Sequence, residues 1–140
     1  MGIRRVAREC AVQMLYQRDI GKHDCRYILN SFWEMNEHSP QVREFATHLF
    51  EGSVARLKEI DELIQSHAEN WRLSRMAAVD RNILRLAVYE LLSEEKTPST
   101  VVINEALEVA RKFSTHESAQ FVNGILDSIR KHLSSKKAEQ

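Results

Sequence analysis

Only four glycines and two prolines punctuate these 140 residues, and that scarcity restricts the fold more than any other feature. Hairpins and tight strand connections lean on those two residue types, so this chain has little with which to turn strands back on one another. The apolar residues agree, recurring nearly everywhere at threes and fours, the spacing of a helix with a buried face. A first helix is expected over Ile3–Ile20, stopping before Gly21, and a shorter second over Asp24–Glu37 with Ile28, Leu29, Phe32 and Trp33 inward. Ser39-Pro40 reads as a cap and first helical position, opening a long third helix that reaches about Asn70. Gly52 inside it costs about 1 kcal/mol against alanine, which close approach of a neighbouring helix, or a break, would explain.

A fourth helix is expected over Ser74–Glu94, with Met76, Val79, Ile83, Leu86, Ala87 and Leu91 inward. Thr97-Pro98 reads as another cap and first position, starting a fifth helix that ends at Phe113. Ser114 and Glu117 have the spacing of a capping box, leading into a last helix through Phe121, Ile125, Leu126, Ile129 and Leu133. Residues 135–140 have nothing to bury and are expected to be disordered. The expectation is one all-α domain over residues 1–134, with six to seven helices around one core and no internal repeat.

Charge bears on function. Twenty Lys and Arg balance twenty Asp and Glu, so attraction of a polyanion by the molecule as a whole is excluded and only a local patch could bind nucleic acid. Residues 1–33 hold six basic and three acidic side chains, and residues 34–69 hold three and eight. Arg4, Arg5 and Arg8 precede any acid. On a helical wheel Val6, Ala7, Cys10, Ala11, Met14 and Leu15 cover one side, while Arg4, Arg5, Arg8, Val12 and Tyr16 cluster over the other. A cationic face ending in an aromatic suits the phosphates of RNA or DNA. The alternative is a solvated helix face that happens to be rich in arginine.

Catalysis finds no positive support. Cys10 and Cys25 make no disulfide framework or zinc motif, and the six histidines never pair at ligand spacing. No glycine-rich phosphate loop or nucleophile elbow is present, and neither a metal nor an organic cofactor is expected. Asp61-Glu62 and Glu94-Glu95 read as solvated helix ends, and Trp33 and Trp71 as core or seam residues rather than stacking platforms. Asn104 and Asn123 are embedded in apolar runs, where a buried amide needs hydrogen bonds. They would serve as ties between helices or as contacts to a ligand, and Gly124 would let two backbones approach. Lys112 and Phe121 border one capping turn, a cation and an aromatic that could both face outward. No apolar run has the length of a membrane span, the amino terminus lacks a signal peptide's hydrophobic region, and Val6 spoils a myristoylation signal. A cytoplasmic protein is expected.

Four segments in register, Arg4–Gln17, Trp71–Leu91, Val102–Phe113 and Phe121–Asp127, resemble the NusB family of transcription antitermination and termination factors. The resemblance spans residues 3–130 and implies two packed helical bundles and no enzymatic activity. It implies binding of boxA single-stranded RNA in ribosomal RNA transcripts, jointly with the small-subunit ribosomal protein NusE, in a complex of RNA polymerase with other Nus factors. Carried over residue by residue, it assigns RNA contact to Arg4, Arg5 and Arg8, with Glu117 and Phe121 near the RNA path; Lys112, bordering the same turn, is grouped with them as an RNA-binding candidate. It sets Tyr16 and Asp80 on the NusE-facing surface. Met14 and Ser114 depart from the family's usual small residue and glycine, away from the inferred surface. A homodimer covering the RNA face stays open. Two other readings remain: the amino-terminal domain of a ribosomal RNA cytosine methyltransferase, opposed by the absence of a Rossmann segment after Leu133, and a helical adaptor without RNA contact.

Overall fold

The computed structural model describes residues 2–93 and 96–138, and these form seven α-helices with no strand. They are α1 (Ile3–Gly21), α2 (Cys25–Met35), α3 (Pro40–Ala55), α4 (Leu57–Ser66), α5 (Ala78–Ser93), α6 (Ser99–Phe113) and α7 (His116–Ala138), with a 3-10 turn at Leu73–Arg75. The all-α expectation holds. Helices α1–α3 pack as one group and α4–α7 as another, and α1 lies against α5 and α6 to join them. Both joining helices are buried nearly all round: Ala7–Val12 in α1 and Asn82–Glu90 in α5 are unbroken buried runs. A helix buried on every side belongs at the centre of a core.

Local chemistry sets the helix ends. Ser39 accepts the Val42 amide at 3.3 Å with Pro40 at the first position, as the sequence suggested, and Asp24 caps α2 by accepting the Tyr27 amide at 2.9 Å. α1 ends at Lys22, which takes a left-handed φ of 59° and donates its amide to the Arg18 carbonyl. Three expected boundaries move. The long third helix is two, because Arg56 leaves helical geometry and its guanidinium reaches Ser93 and Glu59, turning α4 to pack on α5 and α7. α6 starts at Ser99 with Pro98 in the cap position and no side-chain cap, so Thr97 plays no such part. α7 is capped by Thr115, whose hydroxyl accepts the Ser118 amide at 3.0 Å, while the Ser114 hydroxyl turns to Asp80 instead.

Gly52 meets Tyr89 of α5, whose ring a Cβ at that position would overlap, so the close approach inferred from the glycine is real. At the other end α7 continues past Ser134 to Ala138 as an exposed helix, since neither glycine nor proline interrupts the backbone ladder there. Residues 139–140, and the Glu94-Glu95 pair, lie outside the described residues. A polar cluster pins the two groups together: Asp19 at the end of α1 accepts from Arg81 at 2.6 Å and Asn82 at 3.1 Å, and Arg85 bridges Asp19 at 3.3 Å and Asp61 of α4 at 2.8 Å. Burial pushes the Asp19 carboxyl up, but hydrogen bonds from Arg81 and Asn82 and the charges of Arg85 and Arg81 outweigh it, so the group sits below its ordinary value. Among the described residues no helix is long and apolar enough to cross a membrane.

Candidate nucleic-acid interface

The arginines of α1 have three different fates. Arg4 is exposed, with its guanidinium 4.7 Å from the centre of the Phe45 ring, a cation–π contact that fixes the head without neutralising it. Arg5 is partly exposed and donates to Glu105 of α6 at 2.9 Å. Arg8 is buried: its guanidinium forks onto Glu90 of α5 at 2.9–3.1 Å and lies 3.8 Å from Glu105. The wheel gave α1 one wet side, but α3, α5 and α6 close around its middle, so Arg8 and Val12 both turn into packed protein. Arg8 is therefore a structural cation and not a surface one.

The end of α6 continues this surface. Lys112 donates to Glu9 at 2.7 Å while half of its side chain stays in water, and its ammonium lies 5.6 Å from the Phe113 ring. Asp80, at the start of α5, is 7% exposed and accepts from the Ser114 and Ser118 hydroxyls at 3.2 and 3.0 Å. The carboxylate ties α5 to the start of α7. Glu117 is exposed in the first turn of α7, and Phe121, one turn on, is half-buried against the core.

Beside the Asp80 tie runs a shallow groove of about 380 Å³ lined by Val12, Gln13, Tyr16, Gln17, Val79 and Phe113. Tyr16 and Phe113 are 39% and 37% exposed. Two rings left in water along one groove are a common mark of a protein-binding surface. Among the described residues no group of three or more His, Cys, Asp or Glu could hold a metal ion. Burial pushes the Cys10 thiol up to about 11, with the Glu9 charge adding to it, so it is no nucleophile at neutral pH.

A family model described as the NusB family matches residues 5–131, nearly the whole chain. The chain belongs to the NusB family. A relative from Koribacter versatilis named transcription antitermination protein NusB is 50% identical over 140 residues, covering 99% of this chain and 96% of that one. One of the same name from Solibacter usitatus is 47% identical over 135 residues, covering 95% and 92%. The solved structure of T. maritima NusB is 40% identical and superposes with a TM-score of 0.84 over 91% of this chain and 90% of that one. A crystal structure of antitermination factors NusB and NusE in complex with dsRNA gives 0.86 at 28% identity, over 94% and 98%.

In this NusB-family chain, the residues picked from sequence divide by position. Arg5 and Lys112 share the surface where α1 meets α6, Arg4 lies over Phe45 of α3, and Tyr16 stands in the groove. Arg8 and Asp80 are inside. Asn104 and Asn123 are exposed rather than tying helices together, and nothing lies within 4 Å of a Cβ at Gly124. Each sits on the wet side of a helix whose apolar stripe passes one residue away. Sequence reasoning missed Val79 and Phe113 of the groove. Val12, Gln13, Tyr16 and Gln17 share one stripe of α1 and could have been grouped from spacing, whereas Val79 and Phe113 come from other helices and carry no such signal.

Proposed function

We propose that this protein is a transcription antitermination factor that binds single-stranded boxA RNA of ribosomal RNA transcripts together with NusE, within an RNA polymerase complex in the cytoplasm. The observation that carries this is the match along nearly the whole chain to proteins named transcription antitermination protein NusB, alongside the fold of a NusB solved with NusE and dsRNA. The protein acts by binding and carries out no catalytic step. Arg4, Arg5 and Lys112 supply the phosphate contacts, with Glu117 and Phe121 bordering the RNA path, and the Tyr16–Val79–Phe113 groove receives NusE. Asp80 contributes by holding the turn beside that groove, through Ser114 and Ser118.

Support for dividing the surface this way comes from its chemistry. The Arg5 and Lys112 heads lie where α1 meets α6 and the Arg4 head over Phe45 of α3, while the groove is lined by aromatic, aliphatic and amide side chains. Charges neutralise phosphates, and exposed rings in a groove give a protein partner its buried anchors. The test is a titration of boxA-type single-stranded RNA against the chain alone and with NusE. NusE is expected to tighten RNA binding, and Tyr16→Ala to weaken NusE association by about 2 kcal/mol, as an aromatic anchor does. A chain that binds no RNA under either condition, or NusE affinity unchanged in Tyr16→Ala, would overturn the corresponding half of the reading.

A further inference from the structure

We propose that Trp71, with Phe121, forms a stacking platform for an unpaired base of the bound RNA; this rests on RNA being the ligand, as proposed above. Trp71 is 58% exposed, on the stretch between α4 and the 3-10 turn. Its ring meets Phe121 with centroids 5.8 Å apart and planes at 79°. An edge-to-face pair covers one face of one ring, so aromatic surface stays open to water.

The segment carrying this indole is held firmly. Gln65 donates its side-chain amide to the Trp71 carbonyl at 2.9 Å and accepts the Leu73 amide at 2.8 Å, clamping the peptide on both sides of Arg72. The Trp71 amide donates to the Ala68 carbonyl at 3.1 Å. A tryptophan fixed in place yet left in water costs little ordering entropy when something stacks on it. Arg72 and Arg75 are exposed beside it, against the single acid Glu69 in the same stretch, so the platform has cations for flanking phosphates. It also continues the surface already described: Phe121 lies one turn beyond Ser118, which meets Ser114 at 2.9 Å two residues past Lys112. Unpaired RNA is recognised by this combination of aromatic faces and nearby cations.

The test compares wild type with Trp71→Ala, Trp71→Leu and Trp71→Phe, each confirmed folded by circular dichroism. Affinity is measured for a short boxA-type single-stranded RNA and for a blunt duplex of the same sequence. Trp71→Ala and Trp71→Leu are expected to raise Kd for the single strand by about 5- to 150-fold, the range one base–aromatic stack spans. Trp71→Phe keeps a π-face and should retain most of the affinity. Duplex binding should not change, because paired bases offer no free face, and the RNA should quench indole emission in wild type but not in Trp71→Leu. Wild type that binds neither RNA, alone or with NusE, overturns the functional reading and the platform with it. If wild type binds and Trp71→Leu binds equally well, or duplex affinity falls in parallel, the platform alone is overturned.

Discussion

Replacing Arg8 by alanine takes the cation away from Glu90, a carboxylate whose side chain is 2% exposed at the junction of α1 and α5. The pair is forked, with three donor–acceptor distances between 2.9 and 3.1 Å, and the Arg8 side chain is itself 4% exposed. Losing one member of such a buried pair costs about 3–5 kcal/mol, because the carboxylate in the core loses the forked guanidinium that faces it. For a domain of this size each kcal/mol moves the midpoint by roughly 2–4 °C, so Arg8→Ala should melt on the order of 10 °C lower. Arg5→Ala is the control. Its side chain is 37% exposed and its Glu105 partner 19%, and solvent screening leaves such a pair little net stabilisation. Substituting Arg8→Met and Glu90→Leu together should restore most of the loss, since it removes both charges and keeps the volume filled. Urea unfolding followed by circular dichroism reads all three. An Arg8→Ala midpoint equal to that of Arg5→Ala would refute the buried-pair reasoning and return Arg8 to the candidate RNA contacts.

Gly52→Ala should destabilise by about 1–3 kcal/mol, against the gain of about 1 kcal/mol that helix propensity alone promises, because the added methyl overlaps the nearly buried Tyr89 ring; a urea midpoint at or above wild type would show that the ring moves aside freely. Arg4→Ala with Arg5→Ala should flatten the log–log salt dependence of single-stranded RNA binding by about 1.4, two phosphates at about 0.7 each, with helix content unchanged. The depressed Asp19 carboxyl contributes stability that is full above the unfolded value of about 3.9 and lost as pH falls through the lower folded value; acid titration of Asp19→Asn should lack that limb of the unfolding curve.

Helix type and approximate extent were legible because the apolar residues repeat at threes and fours along each segment. What moved were ends and breaks, where tertiary contacts decide between local options. Ser114 and Thr115 are both competent caps, and the choice fell to Thr115 because Asp80, far away in sequence, engages the other hydroxyl. The break at Arg56 falls one turn past Gly52, where a break is one of two explanations for the glycine, and its exact place follows from the way α4 packs on α5. The candidate site was half legible for the same reason. A wheel sees one helix, so it ranked Arg4, Arg5 and Arg8 as equals. Only the positions of Phe45, Glu105 and Glu90 on three other helices separate the exposed arginine from the shared one and the buried one. Sequence alone reads Trp71 as a core or seam residue, whereas the Gln65 clamp holds its segment where the ring stays in water.

The same geometry explains how a chain of zero net charge could bind an anion without attracting every polyanion. Arg5 and Lys112 are not bare cations: Glu105 and Glu9 already accept from them at 2.9 and 2.7 Å. A phosphate must compete with a carboxylate at each of these heads, so the gain per contact is smaller than for a free arginine and nonspecific attraction is damped. The carboxylates also fix where those heads sit, which makes a wrongly spaced backbone a poorer fit. Affinity must then be completed by contacts that read unpaired bases and by a second protein that adds surface of its own. Exposed rings at Tyr16 and Phe113 in the groove, and at Trp71 beside Phe121, are placed to provide one of each. On this view the acids of α1 and α6 belong to the binding surface as much as the bases do, and the neutrality of the chain is a condition of its selectivity.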